Sequence, residues 1–105
     1  MLLASSDTIP GKTISETLGL VRGEIVQSKH VGRDIMAGVK TIVGGEVKSY
    51  TDMISEARKV ATERMIEEAK NMGADAIVCV RYGSSAIMQG SAEIIAYGTA
   101  VKLAK

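Results

Sequence analysis

One hundred and five residues, 46% of them apolar, suffice for a single packed domain, expected to span residues 1–105. Thirteen basic against twelve acidic groups, with three tyrosines as the only aromatic residues, exclude the basic, aromatic-studded face of a nucleic-acid module. A lone cysteine excludes an internal disulfide, and no run approaches the ~20 apolar residues of a membrane span, so the expected location is the cytoplasm.

With neither Phe nor Trp, the core must be built from Val, Ile, Leu, Met and Ala. Each such side chain contributes roughly 1.5–3 kcal/mol when fully enclosed. A chain this small therefore gains by burying more surface against copies of itself.

In chain order, "MLLASS" reads as a short strand that ends in the turn residues Asp7, Pro10 and Gly11. Residues 12–29 read as a long strand. Ile14, Leu18 and Leu20 share one parity there and Val21 and Ile25 the other, with Gly19 and Gly23 expected as bulges or bends where the parity changes. A helix interrupted by two glycines is the competing reading of that stretch. In "DIMAGVKTIV", Ile35, Met36, Val39, Ile42 and Val43 fall on one helical face, between an N-cap at Asp34 and a stop at Gly44.

From Tyr50 to Met72 the pattern is stronger. Tyr50, Met53, Ile54, Ala57, Ala61, Met65, Ala69 and Met72 form one stripe, and Glu56, Lys59, Glu63, Glu67 and Lys70 lie opposite. Ser49 with Asp52 resembles a capping box, and Gly73 stands where a helix-ending glycine belongs. "ADAIVCVRYGSS" then reads as a strand and "AEIIAYGTAVKLA" as the last one. The stretch between them either extends both or connects them. The predicted order is β-β-α-α-β-β. The class is α+β, a mainly antiparallel sheet with two helices on one face.

Chemistry-bearing residues are sparse. His30, the only histidine, and Cys79, the only cysteine, are the candidate metal ligands. A closed zinc site takes four ligands, so these two would need carboxylates or symmetry mates. Cys79 lies in an apolar strand, where a free cysteine behaves as a small hydrophobe. The methionines at 53, 65 and 72 fit core filler better than a soft-metal cluster. "HVGRD" places Gly32, Arg33 and Asp34 before a helix start, a weak candidate for binding a small anion. Ser84 and Ser85 have no nucleophile elbow around them. Asp75 and Glu93 are isolated carboxylates, so no catalytic residue is assigned.

The strings "SSDTIPGK", "LGLVRGE", "HVGRDIMAG", "VGGEVKSYTDMISEARKVATERMIEEAKNMGADAIVCVRY" and "IMQGSAEIIAYGTAV", in that order, resemble the YbjQ-like family over nearly the whole chain. These are small bacterial and archaeal proteins of uncharacterised function, some labelled putative heavy-metal-binding. The resemblance implies a dodecin-like subunit and a ring-shaped homopentamer. A five-fold ring could gather one His30 or Cys79 from each copy around a divalent or soft metal ion. Two functions follow as expectations. The first is a non-enzymatic homo-oligomer that binds a metal or small ligand. The alternative is a small enzyme whose site forms between subunits, with His30, Arg33 and Asp34 of one chain facing Glu93 or Tyr97 of the next.

Overall fold

The computed structural model describes residues 1–28, 45–88 and 90–105. Strand β1 is Leu2–Leu3, β2 is Ile14–Ser28, helix α1 is Gly45–Asn71, β3 is Ala76–Met88 and β4 is Ser91–Leu103. The sheet order is β1-β3-β4-β2. β4 pairs antiparallel with β2 and β3, while β1 pairs parallel with β3 through Leu2–Ala76 and Leu3–Ile77.

This corrects the expected architecture in two respects. The sheet is mixed rather than antiparallel, because the chain start returns to β3 in parallel and is held there by the Ala4 N–H on the Ile77 carbonyl at 2.9 Å. The described residues run β-β-α-β-β, with one helix rather than two on the sheet. The helix expected at 34–43 lies outside the described residues. α1 also starts earlier than its expected cap, so Ser49 stands inside the helix.

Local chemistry explains the ends. In the turn Ile9–Lys12 the Lys12 N–H donates to the Ile9 carbonyl at 3.0 Å, and Pro10 presets the first central position. α1 closes as expected at Gly73, whose φ of +80° is the left-handed geometry that glycine adopts without penalty. The Gly73 N–H donates to the Lys70 carbonyl and the Ala74 N–H to the Ala69 carbonyl, both at 3.0 Å, which is the Schellman pair. The open question between β3 and β4 resolves as extension: both strands run to 13 residues, β3 to Met88 and β4 from Ser91.

One face of the sheet carries α1. Ala57, Ala61, Met65 and Ala69, spaced four apart, are fully buried against Val21, Ile77, Ile94, Ala96 and Ala100. The predicted stripe therefore holds through its centre, but Met72 at its end is exposed. Small residues bring the helix close, and Gly23 closer still. A Cβ there would stand 2.1 Å from the Ala61 carbonyl oxygen and 2.4 Å from the Met65 nitrogen. Gly23 is thus a contact point between two backbones, not the bend expected for it. The register does shift between Thr17 and Gly19. That shift puts Leu18 on the helix side together with Val21 and Ile25.

Candidate functional site

The sheet face away from α1 carries Leu20, Arg22, Glu24 and Val26 of β2, paired in register with Thr99, Tyr97, Ile95 and Glu93 of β4. Beyond β4 the row continues into Val78, Arg81, Gly83 and Ser85 of β3. The N-terminal segment covers one end of this face, where Ala4 and Ile9 pack with Ala76, Val78 and Val101. Arg81 fastens that cover by donating from Nη1 to the Ser5 carbonyl at 2.7 Å.

Among the described residues, the rest of the face is open. Leu20 is 80% exposed, Val26 58% and Tyr97 42%. A hollow of about 560 Å³ lies there, lined by Leu20, Arg22, Ile95 and Tyr97, with Glu68 reaching in from α1. Glu68 is there because β2 is an edge strand. Its outward Arg22 N–H donates to Glu68 Oε1 at 3.1 Å, and Arg64 Nη1 donates to the Glu24 carbonyl at 2.7 Å. Two helix side chains thereby occupy the backbone groups on which another strand would otherwise template. An exposed Arg22–Glu24 ion pair at 3.3 Å sits between them and adds little stability.

Cys79 is a free, half-buried thiol in a bulge of β3. The register passes from Val78–Thr99 to Arg81–Tyr97, so Cys79 and Val80 together face Gly98. Cys79 has φ +56°, a conformation that costs an L-residue roughly 1–2 kcal/mol. The chain start holds it in place: the Cys79 N–H donates to the Ser6 carbonyl at 2.9 Å and the Val80 N–H to the Ala4 carbonyl at 3.0 Å. Its side chain packs with the apolar group of Ala76, Val78 and Val101. The small-hydrophobe reading of Cys79 fits these surroundings, whereas the regular strand expected around it does not.

Among the described residues, no three of His, Cys, Asp and Glu come together as a metal-holding group. The described part of one chain therefore does not fit a bound heavy metal. His30, Gly32, Arg33 and Asp34 lie outside the described residues. Glu93 and Tyr97 share the open face of β4, four residues apart. Asp75 is structural: its Oδ2 accepts from the Leu103 N–H at 2.8 Å while its own N–H donates to the Val101 carbonyl at 2.9 Å. The open face itself had a sequence signal. β2 carries apolar residues of both parities, so Leu20 and Val26 had to face away from Val21 and Ile25.

These features define a small α+β domain with one sheet face packed by a helix and the other partly bare among the described residues. Residues 1–104 match the family described as "Putative heavy-metal-binding", and the chain belongs to this YbjQ-like family. It is 61% identical over 103 residues to a UPF0145 protein of Thermosipho melanesiensis, covering 98% of this chain and 95% of that one. A UPF0145 protein of Vibrio parahaemolyticus is 58% identical, covering 98% of both. Among solved structures, a protein of unknown function of the DUF74 family from Pediococcus pentosaceus superposes with a TM-score of 0.68. That match covers 99% of this chain and 98% of the other at 15% identity, and shows a shared fold. The family description names binding and no reaction.

Proposed function

We propose that this chain is a cytoplasmic, non-enzymatic protein that works as a homo-oligomer, a ring of five copies, with the open sheet face as the surface where copies meet. The observation that carries this reading is the set of large apolar side chains left exposed on that face. Leu20, Val26 and Tyr97 stand exposed beside the half-buried Ile95, on a chain whose core contains neither Phe nor Trp. Large apolar side chains left exposed together on one face mark an interaction surface. The subunit's dimensions agree: its Cα radius of gyration is 17.2 Å, against about 13 Å for a compact chain of this length. Such an outline leaves surface that a neighbour can bury.

Any heavy metal would then be a ligand of the assembly rather than of one chain, with donors such as His30 or Cys79 drawn from several copies. The test of the reading is disruption. Leu20→Glu places a carboxylate on the open face and should shift the protein from ring to monomer while circular dichroism stays unchanged. A variant that keeps the parent mass would rule out the open face as the contact surface.

A further inference from the structure

Among the described residues, α1 crosses β2 and β4 and leaves the outer half of β3 uncovered on the helix side. A groove remains between the helix and residues 82–84. It consists of two hollows of about 340 and 150 Å³, and Arg58 and Tyr82 line both. Hydroxyls surround them: Ser55 and Thr62 in the larger hollow and Ser84 in the smaller, where Ile54 and Ile94 add apolar wall.

Arg58 is the distinctive group. Of the arginines among the described residues, Arg22 pairs with Glu24, Arg64 with the Glu24 carbonyl, and Arg81 with the Ser5 and Val80 carbonyls. The Arg58 guanidinium alone makes no hydrogen bond or ion pair to a described residue. Lys59 lines the same hollow, and among the described residues Glu63 is the one carboxylate lining either hollow, against these two cations. Thr62 spends its proton on the Arg58 carbonyl at 2.7 Å, so in the 2.9 Å contact between hydroxyls Tyr82 is the donor. This relay fixes the Tyr82 ring as a wall of the groove and leaves the guanidinium fork, Lys59 and the hydroxyls of Ser55 and Ser84 as the groove's donors.

We propose that this groove binds a small phosphate-class oxyanion, with Arg58 as its anchoring residue. A planar fork of N–H donors matches such an anion in two bonds at once. Ser84 and Ser55 supply neutral donors on either side. The groove lies on the helix side of the sheet, opposite Leu20 and Tyr97.

The test is a titration of the purified full chain with inorganic phosphate at constant ionic strength, followed by amide NMR shifts. Saturable shifts should centre on residues 55–62 and 82–84. Arg58→Gln should weaken the affinity roughly tenfold or more, the scale of one lost charge-assisted hydrogen bond. Lys12→Gln, exposed and remote, should leave it unchanged. Absence of saturable shifts at these residues in the parent protein would overturn the proposal. So would a phosphate affinity indifferent to Arg58→Gln, or lowered equally by Lys12→Gln. Oligomer mass, measured on the same samples, keeps this result separate from that of the assembly.

Discussion

Gly23 and Ala61 meet backbone to backbone: a Cβ on Gly23 would stand 2.1 Å from the Ala61 carbonyl oxygen. Neither partner can give way by rotating a side chain, since the second obstacle is the Met65 backbone nitrogen. Gly23→Ala must therefore push α1 off β2. Overpacking typically costs 1–3 kcal/mol, and this site belongs at the upper end, about 3 kcal/mol. Urea unfolding measures it, and a loss below about 1 kcal/mol would show that the helix does not approach this closely.

Cys79 pays for its left-handed backbone, and substitutions should follow backbone cost rather than hydrophobicity. Cys79→Val, branched at Cβ, fits this backbone less well and should lower the melting temperature relative to the parent. Cys79→Gly loses the packed thiol but releases the strain, so its melting temperature should exceed that of the valine variant. The reverse order in thermal unfolding would contradict the bulge geometry.

Among the described residues, the outer edge of β2 is held by Arg64 and Glu68 rather than by another strand. Each bond is solvent-exposed, and removing either should cost only about 0.5–1.5 kcal/mol. The larger effect should be on association. Arg64→Ala with Glu68→Ala frees an edge carbonyl and an edge N–H, and light scattering during mild heating should rise earlier than in the parent. Unchanged scattering would mean that these two caps do not guard the edge.

Heavy-metal binding carries a stoichiometric prediction. The chain has one histidine and one cysteine, and a closed zinc site takes four ligands. With donors shared between copies as proposed above, tightly held zinc should fall below one per chain after dialysis, as measured by elemental analysis. One tight zinc per chain that persists in Cys79→Ala would contradict a site shared between copies.

Local signals carried much of the fold. The Ala57-to-Ala69 stripe, the stop at Gly73 and the turn at Pro10 each depend on neighbours within a few residues, and each is visible in the sequence. What was hidden depends on distant partners. Leu2 and Leu3 are too short a strand to show which neighbour they choose, so the parallel pairing with β3 was missed. Gly23 looked like a bend because its reason, the Ala61 backbone, lies 38 positions away. Cys79 gave no warning of its bulge, because cysteine is not a residue type that favours positive φ. Arg58 and Tyr82 come from a helix and a strand that only the tertiary packing brings together. The candidates His30, Gly32, Arg33 and Asp34 lie outside the described residues.

The central claim is that the open face of the sheet is closed by further copies of the same chain. Native mass spectrometry at micromolar concentration tests it most directly. The account predicts a single species with the mass of five 11.1 kDa chains, lost in Leu20→Glu. A parent protein that flies as a folded monomer would contradict it.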